Sequence, residues 1–269
     1  MSEQATGSAV PASPALDWPA LHRAACAPYR AAGRFAWHFA RGKLGRDPVF
    51  RHLAARGLLE HRADAAAGAE APMRVLDIGC GQGLLASLLA ALETLALDGP
   101  RWRYHGIDLM PRDVDRARAA LGALPSAPEF ACADMREAEF PPSDIAVILD
   151  VLHYVDHDAQ RRVLERLRDA LHPGGRLLLR VGDLASGPGY AASQWVDRAV
   201  TRVRGHGAAP TWGRPLADWL ALLGELGYAV AGTAPMSHGT PFANVLVVAH
   251  ARPAGGAVPP AEPLPPPAA

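Results

Sequence analysis

Residues 73–83 constrain the fold of this 269-residue chain more than any other part of its sequence. They read Met-Arg-Val-Leu-Asp-Ile-Gly-Cys-Gly-Gln-Gly, an apolar strand that ends in three glycines spaced G-x-G-x-G, and residues 84–92 then read as a helix. A strand, a glycine turn and a helix in this order form the nucleotide-binding corner of a doubly wound α/β sheet. We therefore expect Gly79 and Gly81 to turn the backbone close to a ligand, and Gly83 to let the helix pack on the strand.

Asp77 indicates which class of nucleotide this corner accepts. It places a carboxylate two residues before Gly79, where the pyrophosphate of a dinucleotide would approach the helix N-terminus, and like charges repel there. Leu84 stands where the dinucleotide pattern G-x-G-x-x-G needs its third glycine. The sequence therefore favours a phosphate-free, positively charged nucleoside over the cofactor of a nicotinamide-dependent dehydrogenase. An ordinary glycine-rich turn without a ligand is the alternative.

Residues 75–83, Val-Leu-Asp-Ile-Gly-Cys-Gly-Gln-Gly, resemble motif I of the class I S-adenosylmethionine-dependent methyltransferases. The similarity continues, with gaps, from about Arg74 to Ala249. The resemblance implies the Rossmann-like methyltransferase fold, an α/β architecture with a doubly wound, seven-stranded, mostly parallel sheet whose last strand is antiparallel. It also implies S-adenosylmethionine as the cofactor, but it does not indicate which molecule is methylated.

The resemblance also implies cofactor contacts beyond motif I. Asp108 ends the second predicted strand, where a carboxylate can accept hydrogen bonds from both ribose hydroxyls, although a solvated aspartate is the alternative. Leu109 is expected beside the adenine, Asp134 is expected to accept a hydrogen bond from the adenine amino group, and the backbone amide of Met135 is expected to reach the ring. The predicted cofactor-binding residues are Asp77, Gly79, Cys80, Gly81, Gly83, Asp108, Leu109, Asp134, Met135 and Asp150.

The end of the fourth predicted strand, Asp-Val-Leu-His-Tyr at residues 150–154, is where the family brings the methyl acceptor to the cofactor. The run is similar to the small-molecule branch of the family. It lacks the Asn/Asp-Pro-Pro-Tyr motif of adenine and glutamine methylation, and a Pro-Cys pair for attack on cytosine is also absent. His153 is the candidate general base, because histidine ionises near neutral pH and a hydroxyl acceptor has to lose a proton. A histidine that only packs or hydrogen-bonds is the alternative.

The aromatic N-terminal helices, with Arg41 and Lys43, are expected to form a lid over the cofactor, and one of these two residues is a candidate to bind its carboxylate. Two further regions are candidates for the acceptor pocket. Residues 183–215 are rich in arginine and aromatic residues for a connection, and residues 237–242 form a second possible wall. Solvated surface is the alternative for the first of these.

Asp150 and Asp183 follow neighbouring strands, as the carboxylates of magnesium-dependent catechol-type methyltransferases do. Those enzymes also have an asparagine where Leu184 stands here. We therefore expect no metal.

Composition limits the possible partners and compartment. Lys+Arg and Asp+Glu both number 27, and no basic block stands out, so we expect neither nucleic acid nor an anionic membrane as a partner. The three cysteines lack disulfide or metal spacing, and no apolar run is long enough to insert into a membrane, so a soluble, cytoplasmic protein is expected. Lys43 is the only lysine beside 26 arginines, and Asn244 is the only asparagine.

The chain divides into four predicted parts. Residues 1–17 and 251–269 are Ala- and Pro-rich tails that we expect to be disordered, residues 18–62 form an N-terminal helical lid, and residues 73–250 form the methyltransferase domain. Alternating patterns predict strands at about 73–78, 103–108, 129–133, 144–150, 176–181, 228–234 and 244–250, and helices at about 84–93, 112–121, 158–171 and 214–226.

The sequence thus predicts an enzyme that moves a methyl group from S-adenosylmethionine to an oxygen, less readily a carbon, of a small or carrier-bound metabolite. A catalytically idle S-adenosylmethionine-binding scaffold for a biosynthetic partner is the alternative. The sequence does not indicate an oligomeric state.

Overall fold

The structure is a computed structural model. It describes residues 16–60, 71–95, 102–186, 211–237 and 243–252. The predicted tails, residues 1–17 and 251–269, lie almost wholly outside these ranges. Most of the two connections predicted to border the acceptor, residues 183–215 and 237–242, also lie outside them.

Seven strands form one sheet in the order β3-β2-β1-β4-β5-β7-β6. The strands are β1 (Met73–Ile78), β2 (Trp102–Asp108), β3 (Glu129–Cys132), β4 (Ser143–Leu149), β5 (Leu171–Gly182), β6 (Tyr228–Pro235) and β7 (Asn244–Ala251). All neighbouring strands are parallel except β7, which runs antiparallel to both β5 and β6. The predicted doubly wound sheet with an antiparallel last strand is confirmed.

Helices cover both faces of the sheet because its central strands alternate apolar side chains toward each face. The helices are α1 (Trp18–Cys26), α2 (Arg34–Arg46), α3 (Pro48–Ala55), α4 (Leu84–Leu95), α5 (Pro111–Leu121), α6 (His157–Ala170) and α7 (Leu216–Glu225). Val75 packs in a core that includes residues of α1 to α5, whereas Leu76 and Ile78 pack in a second core with α6 and α7. Because β1 is buried on both faces, its carboxyl end is rigidly placed.

The N-terminal region, predicted as a helical lid over residues 18–62, is not one continuous helix. It is broken into α1, a 3₁₀ turn at Ala27–Arg30, and α2. Pro28 has no backbone N–H to continue α1, and Gly33 adopts φ +97° just before α2 begins. The break lets α1 pack on α4, where the Ser87 hydroxyl donates a 2.6 Å hydrogen bond to the Ala25 carbonyl.

The strand order changes direction at β1, because the chain goes from β1 outward to β2 and β3 and then returns to β4 on the other side. In open α/β sheets, a crevice for ligands forms at the carboxyl ends of the strands at such a point. None of the helices within the described ranges combines the length and apolar character needed to cross a bilayer.

Candidate functional site

A cavity of about 490 Å³ opens at the carboxyl ends of β1, β4 and β5, and residues of α2 and α3 form another part of its wall. This volume falls within the range of small-molecule sites. Seven of the residues predicted from the sequence line it, namely Asp77, Gly79, Cys80, Gly81, Asp108, Asp150 and His153.

The glycine turn after β1 needs its glycines for two different reasons. Gly79 has φ +79°, and a Cβ there would lie 2.4 Å from Cγ1 of Val151, so the turn packs directly against the chain that follows β4. Gly81 has φ +54°, and a Cβ there would meet nothing within 4 Å. Since Gly81 lines the cavity, its bare backbone is open to close approach by a ligand.

Gly83 lies outside the cavity lining. A Cβ on Gly83 would come within 2.9 Å of the side chains of Phe130 and Leu121, so this glycine allows close packing of β3 and α5 against the turn. Gly83 is expected from the sequence to let the following helix pack on the strand. Its environment is consistent with a packing role, but the elements that pack against it are β3 and α5.

Asp108 binds the glycine turn through its side chain. Its Oδ2 accepts a 2.7 Å hydrogen bond from the Gly81 amide, and its Oδ1 accepts a 2.8 Å bond from the Met110 amide. Asp108 also lines the cavity, and each carboxylate oxygen can accept more than one hydrogen bond. The predicted ribose contact is therefore compatible with the position of Asp108.

Asp77 is a buried carboxyl beside the cavity, with 4% of its surface exposed. Burial raises its pKa from 3.8 to about 7, although a 2.6 Å hydrogen bond from the Tyr104 hydroxyl acts in the opposite direction. Desolvation penalises the charged form of a carboxyl, and a neighbouring cation favours it. A positively charged ligand in the cavity would therefore be stabilised by Asp77 and would in turn favour its ionised form.

Besides Gly83, three predicted cofactor residues are not among the cavity-lining residues. Leu109 is exposed, and Asp134 and Met135 follow β3 at some distance along the chain from the glycine turn. Both oxygens of Asp134 accept hydrogen bonds from the Arg136 guanidinium, which holds the pKa of Asp134 below its usual range. The predicted adenine contacts of these residues stay predictions.

A buried ionic network crosses the cavity wall. The Arg180 guanidinium near the end of β5 binds the carboxylate of Asp150 on one side and that of Asp47 on the other. Lys43 Nζ lies 2.7 Å from Asp47 Oδ2. Burial opposes ionisation of Asp47, but Arg180 and Lys43 outweigh it and hold the pKa of Asp47 well below its usual range. The network is thus ionised and joins the α2–α3 corner to the sheet.

Sequence reasoning missed Arg180 and the ionic role of Asp47. Asp47 also caps α3, where its Oδ1 accepts a hydrogen bond from the Val49 amide. The available signal was the run Leu-Leu-Leu-Arg-Val at residues 177–181, since an arginine inside a buried strand requires a carboxylate partner. Asp150, which has φ +59°, is one of those partners.

Tyr29 is a second residue that the sequence did not indicate. It is fully buried, and its hydroxyl donates a 2.8 Å hydrogen bond to the carbonyl of Gln82 in the glycine turn. The N-terminal helices therefore contact the glycine turn itself as well as the sheet edge.

His153 lies in a 3₁₀ turn, Leu152–Tyr154, directly after β4. Its ring centroid is 4.2 Å from that of Tyr154, and its backbone carbonyl accepts a 2.8 Å hydrogen bond from the Trp212 amide. Trp212 and Arg214 of the connection predicted to cover the acceptor are described, whereas its remaining aromatic residues, arginines and histidine lie outside the described residues. His153 and Asp150 share the cavity with the glycine turn.

The magnesium alternative finds no support in the positions of its two carboxylates. Asp150 is bound by Arg180, and Asp183 Oδ1 accepts hydrogen bonds from the Ala185 and Leu216 amides. Within the described ranges, no group of three or more His, Cys, Asp or Glu side chains is arranged to hold a metal ion.

Residues 76–177 match a family model described as a methyltransferase domain. This match supports a class I S-adenosylmethionine-dependent methyltransferase domain over these residues. S-adenosylmethionine is the cofactor of this domain class. The matched residues contain the glycine turn, Asp108, Asp150 and His153, so the family match and the cavity coincide.

Two curated relatives illustrate the similarity. A carboxy-S-adenosyl-L-methionine synthase from Chromohalobacter salexigens is 33% identical over 109 residues, which are 39% of this chain and 38% of the relative. A trans-aconitate 2-methyltransferase from Methylobacterium nodulans is 32% identical over 121 residues, which are 45% of this chain and 42% of the relative. The matched region thus spans about two fifths of each relative.

Among solved structures, the fold resembles that of magnesium protoporphyrin IX methyltransferase from Synechocystis PCC 6803 with bound SAH. The TM-score is 0.54 at 19% sequence identity, and the match covers 84% of this chain and 94% of the other. At this identity the likeness supports the fold.

The cavity of the methyltransferase domain fits S-adenosylmethionine in its charge. Its lining contains the cationic side chains of Lys43, Arg46 and Arg180 and the acidic side chains of Asp47, Asp77, Asp108, Asp113 and Asp150. Acidic groups therefore exceed basic ones by two (5 − 3) when all are ionised. A ligand with a sulfonium, an ammonium and one carboxylate carries a net positive charge that this excess favours.

Proposed function

We propose that this domain transfers the methyl group of S-adenosylmethionine to an oxygen, less readily a carbon, of a small or carrier-bound metabolite. The observation that carries the proposal is that His153 and Asp150, at the end of β4, line the same cavity as Asp77, Gly79 and Gly81. A single small-molecule cavity can therefore hold both donor and acceptor. The cytoplasmic location and the absence of a nucleic-acid partner belong to this proposal as well.

The cofactor-binding part of the proposal uses the residues around the glycine turn. Gly79 and Gly81 offer bare backbone, Asp77 supplies negative charge, and Asp108 accepts hydrogen bonds from the ribose hydroxyls while it fixes Gly81. Cys80 is buried beside them and contributes to the wall.

The bound cofactor supplies a methyl group activated by a positively charged sulfur. The protein then has to align the acceptor and exclude water, which contributes much of the acceleration in reactions between two bound molecules. Helices α2 and α3 close one side of the cavity, and the Arg180 network fixes them to β4 and β5. His153 accepts the proton of an acceptor hydroxyl.

The proposal is tested by incubating the purified protein with methyl-labelled S-adenosylmethionine and native cell extract. The label is then followed into organic, aqueous and protein fractions. We expect label above the no-enzyme control in the organic or aqueous fraction, or in the protein fraction for a carrier-bound acceptor. Cofactor binding measured by calorimetry, without label transfer, would contradict catalysis and favour the idle scaffold.

A further inference from the structure

Lysine and asparagine are almost absent from this chain, and the single residue of each type lines the cavity. The chain has 26 arginines but one lysine, Lys43, and it has one asparagine, Asn244, and both residues line this cavity. The Lys43 ammonium forms a salt bridge with Asp47 and is therefore already paired. The Asn244 carboxamide has no hydrogen-bond partner among the described residues.

Asn244 is the first residue of β7 and pairs in register with Gly182 at the end of β5. Its backbone carbonyl accepts a 2.7 Å hydrogen bond from the Met236 amide. Its side chain forms no hydrogen bond with any residue in the described parts of the chain, although it lines the cavity. A carboxamide provides two donor hydrogens and one acceptor oxygen to a ligand.

Trp219 on α7 is a second unsatisfied polar group of the lining. Its side chain is 1% exposed, and its buried Nε1–H has no hydrogen-bond partner among the described residues. The Arg214 guanidinium lies over the face of its ring, 5.5 Å from the centroid, and so does not satisfy the N–H. Buried polar groups are nearly always paired in proteins, and an indole N–H can only donate. An oxygen of a bound molecule would supply the acceptor that Trp219 lacks.

The charged groups on this side of the cavity neutralise one another. Arg180 binds two carboxylates, and Lys43 binds one of the same carboxylates. Arg46 also lines the cavity and has no carboxylate partner in the described ranges, but it is exposed, so solvent and salt screen its charge. The charges of Arg180, Lys43, Asp47 and Asp150 therefore sum to zero, and the guanidinium of Arg214, which lies outside the lining, donates hydrogen bonds to Gln160 Oε1 and the His157 carbonyl.

We propose that the methyl acceptor is an uncharged molecule with a hydroxyl group beside a carbonyl oxygen, recognised by the Asn244 carboxamide and the Trp219 Nε1–H. This inference rests on the proposed function, because it names the substrate class of the same cavity. It also distinguishes the chain from its relative named for trans-aconitate, since aconitate is a polycarboxylate and would need cations that are not already paired.

The test compares two small probes of nearly equal shape, the ortho-phenolic ketone 2′-hydroxyacetophenone (here called 2-hydroxyacetophenone), which is uncharged at pH 7.5, and salicylate, which is an anion. Binding of each to the protein saturated with S-adenosylhomocysteine is measured by calorimetry, together with the indole N–H signals in ¹⁵N-labelled protein. We expect 2-hydroxyacetophenone to bind at least tenfold more tightly than salicylate and to shift the Trp219 indole signal, which W219F assigns.

Two variants and one matched control complete the test. W219F and N244A should each weaken binding of 2-hydroxyacetophenone about three- to tenfold, the usual effect of one hydrogen bond, while binding of S-adenosylhomocysteine stays unchanged. W102F is the control, because the Trp102 Nε1–H is satisfied by the Leu59 carbonyl at 2.9 Å. W102F should lower the Tm more than W219F, since it leaves that carbonyl unpaired, and should not alter the preference for the uncharged probe.

Tighter binding of salicylate, failure of both probes to bind, or unchanged affinity in W219F and N244A would each overturn the inference. Failure of S-adenosylhomocysteine itself to bind would instead contradict the proposed function, so the two failures are distinguishable.

Discussion

The guanidinium of Arg180 and the carboxylate of Asp47, 133 positions apart in the chain, form a buried ion pair with Nη2 2.8 Å from Oδ2. Arg180 is 2% exposed and Asp47 caps the first turn of α3. One residue pair therefore couples the position of the N-terminal helices to the strand end beside the cavity. Removing one partner of a buried pair leaves an uncompensated charge, which is strongly destabilising.

The Asp47→Ala variant should be destabilised by about 3–5 kcal/mol, because Arg180 and Lys43 both lose a carboxylate partner. The free energy of unfolding in urea is the measurement. Asp17→Ala is the matched control: Asp17 caps α1 through the Ala20 amide but is exposed, so its loss should cost about 1 kcal/mol. Equal losses in the two variants would show that Asp47 acts only as a helix cap.

The stability contributed by Asp47 should also depend on pH. Its folded-state pKa lies well below the ordinary value of 3.8, so the contribution is complete above about pH 4 and declines as pH falls through the folded-state pKa. Unfolding measured from pH 6 down to pH 2 should therefore show the difference between wild type and Asp47→Ala shrinking. A difference that stays constant would contradict the ion pair.

Asp77→Asn should stabilise the protein at pH 8 and weaken its binding of cofactor. The folded-state pKa of Asp77 is about 7 against an ordinary 3.8, so folding favours the protonated form, and the resulting stability is present below pH 4 and lost as pH rises through 7. At pH 8 the variant avoids a buried carboxylate whose cost is on the order of 2–4 kcal/mol. Urea unfolding of both proteins at pH 5 and pH 8 measures this difference.

The same ionisation should govern the affinity for S-adenosylmethionine. In wild type the affinity should rise between pH 6 and pH 8 as Asp77 ionises, and in Asp77→Asn this rise should be absent. Calorimetry from pH 6 to pH 8 measures the affinity of both proteins. A parallel rise in the affinities of wild type and Asp77→Asn would assign the pH dependence to another group.

Gly81→Ala should abolish tight cofactor binding at a small cost in stability. A left-handed alanine costs about 1–2 kcal/mol, and the added methyl group would enter open space at the cavity rather than a packed core. Gly174→Ala is the control, since Gly174 also has a left-handed φ (+80°) with nothing within 4 Å but lies outside the cavity lining. We expect similar Tm values for both variants and at least tenfold weaker binding of S-adenosylmethionine in Gly81→Ala alone.

His153→Ala should lower kcat about 10²–10⁴-fold with the cofactor affinity unchanged, because a general base contributes to the chemical step. His157→Ala, which removes an exposed histidine outside the cavity lining, is the control and should keep the wild-type rate. Retention of most of kcat in His153→Ala would show that His153 has a structural role.

The parts of the site that sequence could predict are those held by local conformation. The glycine turn, Asp77 before it and Asp108 at the end of β2 each occupy a fixed position relative to a strand end, and the strand ends meet because the sheet is parallel. The strands themselves are predictable from buried apolar runs bounded by turns. The sequence alone therefore predicts that Asp150 and His153 lie beside the glycine turn.

Only the tertiary structure decided how the N-terminal helices close the cavity. The pairing of Arg180 with Asp47 and the hydrogen bond from Tyr29 to Gln82 join residues that lie far apart in the chain. No local periodicity encodes such contacts, because they depend on which helix packs on which strand and in what register. The sequence by itself therefore determined the fold class and the cofactor, through backbone conformation and strand order. The tertiary structure alone decided the charge balance and hydrogen-bonding groups of the acceptor side, because desolvation and pairing exist only once the chain is packed.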